Sequence, residues 1–179
     1  MVWLAGCASV PKVAVVEPVG PAPGEGRPGS GNGDLVIYSA RVPAYVDINE
    51  QEWRWNNDFG RNGFLYERAH SSYTIYDQHG DLVKHVRNAR SQDDATPTTV
   101  ALPPGSYRIE ANAVDCKSDV VKAVMTAVIQ PGETTVADLE GGWSPAEQYQ
   151  EAQVAKLPCG RVIGWRAPQA GFAGSETPL

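Results

Sequence analysis

Apolar and polar residues alternate with a period of two along most of the chain from Asp34 onward, the pattern of half-buried strands. Leu35 to Ala40 is a short β-branched and aromatic run. Tyr73 to Asp77 and Leu82 to Val86 flank Gln78-His79-Gly80-Asp81, where Gly80 supplies the positive φ of a hairpin turn. Thr98 to Leu102 and Ser106 to Val114 flank Pro103-Pro104-Gly105, whose residue types suit a type II turn. In the second of these runs Tyr107, Ile109, Ala111 and Ala113 share one face, and Arg108, Glu110 and Asn112 share the other. Val121 to Ile129 is an apolar strand, Pro131-Gly132 repeats the turn chemistry, and Thr134 to Leu139 alternates again. Short strands with turn signals at this spacing favour a β-sandwich.

The period changes after Gly141-Gly142. Ser144-Pro145-Ala146-Glu147 has the form of a capping box with proline at the first helical position. It predicts a helix of about three turns over 145–156, with a thin apolar side of Ala146, Tyr149, Ala152 and Val154. Pro158 ends it, and Arg161 to Trp165 predicts an edge strand. From 167 to 179 the Pro, Gly and Ser content reads as a frayed tail.

Val100-Ala-Leu-Pro-Pro-Gly-Ser-Tyr-Arg-Ile-Glu110 and Val128-Ile-Gln-Pro-Gly-Glu-Thr-Thr-Val-Ala-Asp-Leu139 resemble the closing strands of PEGA-type and carboxypeptidase regulatory-like domains. That resemblance implies an all-β fold, an immunoglobulin-like or transthyretin-like antiparallel β-sandwich over 34–140. One short C-terminal helix and a possible edge strand would pack on it over 141–166. The resemblance implies an accessory role on bacterial envelope proteins and carries no catalytic residues, because the shared motif is turn and strand chemistry.

The amino end carries a different signal. Leu4-Ala5-Gly6-Cys7 resembles the lipobox of bacterial lipoproteins, in which the cysteine is acylated and becomes the new N-terminus. The resemblance makes Cys7 the lipidation site and residues 1–7 the remnant of a signal peptide. Six residues without Lys or Arg precede Cys7, short of the basic and apolar regions of a complete signal peptide, so a longer upstream segment is expected. Ala8 follows the cysteine, and in the enterobacterial rule a residue other than Asp there implies release toward the outer membrane. Residues 8–33 hold prolines at 11, 18, 21, 23 and 28 and glycines at 20, 24, 26, 29, 31 and 33. They read as a flexible linker that would span on the order of 30 Å as a coil. An acylated cysteine before such a linker would hold a folded domain just off a membrane.

Composition narrows the class. The chain has 179 residues, 15 Lys+Arg against 21 Asp+Glu, and a formal charge of −6. Nucleic-acid binding needs clustered cations, so it is not expected. No run approaches the roughly 20 apolar residues of a membrane-spanning helix. Setting Cys7 aside leaves Cys116 and Cys159, either a disulfide, as an oxidising compartment favours, or two independent buried thiols.

Candidate chemistry is sparse. His70, His79 and His85 do not offer the converging ligands of a zinc site, since His79 lies at a hairpin tip and His85 down one strand. His70-Ser71-Ser72 is the one Ser/His cluster, but adjacent residues on an extended chain point apart. Asp93-Asp94 lies in a polar turn segment. The oxygen-rich stretch from Asp47 to Asp58 lacks the glycine and glutamate spacing of an EF-hand. Trp53, Trp55, Asn57, Asp58 and Phe59, with Phe64 and Tyr66 behind them, either stack on a carbohydrate or small ligand, with calcium as a possible aid, or cover the core. The expectation is therefore a non-enzymatic protein without cofactor or resident metal. It would bind or scaffold an envelope protein or cell-wall polymer, and carbohydrate binding through Trp53 to Tyr66 is the alternative.

Overall fold

The computed structural model describes residues 13–23, 31–45, 66–88, 96–145 and 149–168. These residues form thirteen strands. In chain order they are β1 (Val13–Val15), β2 (Val19–Gly20), β3 (Gly33–Tyr38), β4 (Arg41–Tyr45), β5 (Tyr66–His70), β6 (Tyr73–Tyr76) and β7 (Leu82–Val86). Then follow β8 (Val100–Leu102), β9 (Gly105–Val114), β10 (Val120–Ile129), β11 (Thr134–Asp138), β12 (Val154–Lys156) and β13 (Val162–Arg166).

The long alternating runs build the centre of the large sheet. β9 and β10 pair antiparallel over ten residue pairs, from Val114↔Val120 to Gly105↔Ile129. Ile109, Ala111, Ala113, Ala123, Met125 and Ala127 all turn inward and are buried. The complete order is β12-β13-β2-β10-β9-β6-β7, and β1 also pairs with β10. A smaller sheet runs β11-β3-β8, and β4 and β5 form a separate hairpin. Leu35 and Ile37 of β3, Val100 of β8 and Ala137 of β11 share one hydrophobic core with Ile75, Ile109 and Ile163 of the large sheet.

Two proline-glycine corners carry the chain between the sheets. After Pro103-Pro104 it leaves β8 in the small sheet and enters β9 in the large one. After Pro131-Gly132 it returns, from β10 to β11, with Gly132 at φ 71°. The sequence reads both as tight turns. The pairing partner of a strand is decided by sheet assembly, which local turn chemistry does not encode.

The structure departs from the sequence expectation in several places. First, the sheets are mixed, not purely antiparallel: β1 and β2 run parallel to β10, and β3 runs parallel to β11. Parallel partners need long crossovers, so no hairpin signal announces them. Second, the segment read as a linker over 8–33 is partly built into the sheet through β1 and β2, with Val16 and Val19 buried. Pro18 falls where pairing tolerates it: it lies between the two strands and donates no bond, while its carbonyl accepts from the Ala167 amide at 3.0 Å.

Third, where a helix is expected over 145–156, the described residues 149–156 hold a single 3-10 turn, Glu151–Gln153, followed by β12. The reciprocal cap sits at Gln150 and Gln153, where the Gln153 side chain accepts from the Gln150 amide at 2.8 Å. A strand buries Val154 and Ala155 completely against β13, whereas a short helix with so thin an apolar side could not repay its nucleation. The predicted strand after Pro158 is present as β13, and it lies inside the sheet between β12 and β2.

Candidate functional site

The densest buried polar cluster lies where β3 turns into β4 and β5 into β6. Register places Arg41 opposite His70, which brings both corners together. Ser39 Oγ donates to the Ser71 carbonyl at 2.6 Å, and Asn88 Nδ2 donates to the same carbonyl at 2.9 Å. Asn88 Oδ1 in turn accepts from the Thr98 amide at 2.9 Å. His70 Nδ1 lies 2.6 Å from the Ser39 carbonyl, which makes this nitrogen the donor. The Glu140 carboxylate stands 3.7 Å from Nδ1 and is ion-paired with Arg41 at 3.0 Å. Tyr38 packs edge-on against the imidazole, with ring centroids 5.6 Å apart.

A histidine oriented by a carbonyl and a carboxylate, with serines nearby, has the parts list of nucleophilic catalysis but not its geometry. Neither His70 Nε2 nor Ser71 Oγ has a hydrogen-bond partner, so the two do not share a proton, and both are buried. The expectation that His70 and Ser71 point apart agrees with this. The hydrogen bonds that are made run mainly to backbone carbonyls and amides, which ties the corners to each other.

Tyr73 in β6 is a related case. Its hydroxyl is buried without a partner, and burial pushes the phenol above its ordinary range. Tyr73→Phe should therefore raise the unfolding free energy by about 1 kcal/mol at neutral pH, since it removes an unsatisfied buried donor. A raised folded pKa leaves the fold fully stable below the ordinary phenol value, about 10, and costs stability as pH rises beyond it. Urea unfolding from neutral to alkaline pH checks both points: the phenylalanine variant should start higher and lose less.

A cation missed by sequence reasoning closes the cluster from the other side. Arg161, just before β13, donates to the carbonyls of Glu140 at 3.2 Å, Leu139 at 3.0 Å and Val114. It thereby holds the ends of β9 and β11 against the C-terminal strands. Glu17 performs a similar task near β2, accepting from the Lys156 amide and from Arg166, both at 2.9 Å. A lone Arg or Glu outside any motif carries no sequence signal for such a role.

The remaining histidines stay apart, as their spacing predicts. His79 is exposed at the tip of the β6–β7 hairpin, and His85 contacts Thr74 Oγ1 at 3.2 Å across that hairpin. Gly80 takes the expected positive φ, 88°. Asp77 organises this turn by accepting from the amides of His79 at 2.8 Å and Asp81 at 2.9 Å. The Asp81 amide above all holds its carboxyl below the usual carboxylate range. Asp115 repeats the device between β9 and β10, accepting from the Lys117 and Asp119 amides. Among the described residues no group of three His, Cys, Asp or Glu side chains is arranged to hold a metal ion.

Two surface grooves lie among the described residues. One of about 750 Å³ is lined by Pro21, Pro23, Gln130, Glu133, Arg166 and Pro168, but the Arg166 guanidinium is already engaged by Glu17 and the Val154 carbonyl. The other, of about 270 Å³, lies between β1 and the turn that carries Cys159. Cys116 and Cys159 form a disulfide with Cα atoms 6.0 Å apart, which decides between the two sequence readings in favour of pairing. Cys7, the stretch with Trp53, Trp55, Asn57, Asp58 and Phe59, and Asp93-Asp94 lie outside the described residues.

No family model, no curated protein and no solved structure matches this chain.

Proposed function

We propose that this chain is a lipid-anchored protein of the bacterial cell envelope, held at the outer membrane through Cys7. On this reading its strands form an immunoglobulin-like or transthyretin-like sandwich that acts as a non-catalytic binding or scaffolding module. The partner is another envelope protein or a cell-wall polymer. The Cys116–Cys159 disulfide carries the reading, because such bridges persist in oxidising compartments and are rare in the bacterial cytosol. The lipobox-like Leu4-Ala5-Gly6-Cys7 supplies the matching route out of the cytosol. Support for a non-catalytic role comes from the His70 cluster, where Ser39, His70, Ser71 and Asn88 are buried and the bonds of Ser39, His70 and Asn88 run to backbone.

Intact-mass analysis and membrane fractionation of the protein from its native cell test the anchor. Acyl chains on Cys7, membrane sedimentation, and loss of both in Cys7→Ser are the expected result. An unmodified Cys7 thiol on protein recovered from the cytosol overturns the reading.

A further inference from the structure

Seven large apolar side chains stand exposed among the described residues, and three of them meet on one patch: Val13 at 53%, Val15 at 76% and Val120 at 51%. Register explains the grouping. Val13 lies beside Lys122 and Val15 beside Val124 in the parallel β1–β10 pair. Val120, Lys122 and Val124 alternate along β10 and so share that outer face. The 270 Å³ groove lies beside this face, along the edge of β1 toward Pro158 and Cys159. Lys117 and Lys122 stand exposed at its rim, with Asp119 beside them.

What lies against this patch follows from the position of β1 relative to Cys7. Val13, the first described residue, is already paired with β10, and the Val16 amide donates to the Val124 carbonyl at 2.9 Å. Only Ala8 to Lys12 separate Val13 from Cys7. Six Cα steps span at most about 20 Å, whereas a free linker over 8–33 would reach about 90 Å at full extension. The polar layer of one leaflet is itself roughly 5–7 Å thick. A sulfur anchored at the top of the acyl region thus keeps the β1 end of the body close to the bilayer surface.

We infer that the outer β1–β10 face is a bilayer-contacting surface. Val13, Val15 and Val120 enter the headgroup boundary, and Lys117 and Lys122 reach out to lipid phosphates as long cationic side chains do at interfaces. This inference rests on acylation of Cys7 and adds to it an orientation: the disulfide end and β1 face the membrane, and the β6–β7 hairpin lies at the far edge of the sheet.

Two measurements test it. In the first, the acylated chain with a photo-crosslinking amino acid in place of the exposed Val15 is reconstituted in equimolar phosphatidylethanolamine and phosphatidylglycerol vesicles. A lipid adduct at this position is expected, with none when the same probe replaces His79. Cross-linking to a second copy, or acylated protein without a lipid adduct, overturns the orientation and leaves the anchor standing. A mass showing Cys7 unmodified removes the anchor, and the orientation with it. In the second, the full chain carrying Cys7→Ser is titrated with the same vesicles. Weak partitioning that drops about tenfold in Val13→Ser/Val15→Ser supports the face, and equal partitioning of the two proteins overturns it.

Discussion

Removing the Cys116–Cys159 bridge, by reduction or by Cys116→Ser/Cys159→Ser, is expected to lower the unfolding free energy by about 4 kcal/mol. The two cysteines are 43 positions apart, and in the chain-entropy account a loop of that length contributes about this much by restricting the unfolded chain. The loss is large beside the roughly 5–15 kcal/mol by which domains of this size are stable. Cys116 sits in the turn between β9 and β10, and Cys159 in the turn between β12 and β13, so the bridge ties the C-terminal strands to the longest ladder of the sheet. Paired urea titrations with and without reductant check the magnitude, and the serine double variant should match the reduced wild type. A change below about 1 kcal/mol would show that Arg161 and the β13–β2 pairing already hold these strands in the unbridged protein.

The contrast between what could and could not be read in the sequence has a physical basis. β9, β10 and the β6–β7 hairpin were legible because period-two alternation and a glycine at φ 88° act over a few neighbouring residues. β1 and β2 were not, because Val13 to Gly20 is too short for alternation to outweigh the proline-rich composition around it. The sequence of β12 favours a helix because a capping pattern speaks for local preference. The benefit of burying Val154 and Ala155 comes from β13 and the core, which no local pattern reports. The site shows the same division. Pairing of Cys116 with Cys159 was one of two readings open in the sequence, and the separation of the histidines followed from spacing. The role of Arg161 depends on three carbonyls 21 to 47 positions away, which only the assembled fold brings together.

With Cys7 as the proposed anchor, anchor and fold would meet at the same end of the molecule. β1 makes the start of the described chain part of the sheet, so a position imposed at an acylated Cys7 would pass to β10 and from there to β9. In a spacer, the same residues would have decoupled the body from its anchor. A partner-binding surface is then best sought at the opposite edge, where β7 exposes Leu82 and Val83, and not near β1.

Gly33→Ala is expected to destabilise the fold by about 3 kcal/mol, although Gly33 lies in ordinary extended backbone and the new methyl group is small. The obstacle is space. A Cβ at Gly33 would stand 2.1 Å from the Gln130 carbonyl oxygen, 2.8 Å from Ile129 Cγ2 and 3.0 Å from the Glu133 carbonyl oxygen. Two of the three are backbone atoms of the corner that carries β10 into β11, and they cannot swing aside as a side chain can. Relief requires that corner to move away from β3. It would stretch the bond from the Gly132 amide to the Asn32 carbonyl, 3.0 Å, and that from the Asp34 amide to the Glu133 carbonyl, 2.8 Å. The parallel β3–β11 pairing begins at Asp34↔Thr134, so the strain falls on the first rung of the small sheet, next to the corner that joins it to the large one. Gly80→Ala is the comparison: its Cβ would meet nothing within 4 Å, and only the left-handed backbone opposes it, at a cost of about 1 kcal/mol. Urea unfolding of the two variants should separate them clearly. If Gly33→Ala cost no more than Gly80→Ala, the corner would not be pressed against β3 as described, and the two sheets would be joined less tightly than this packing requires.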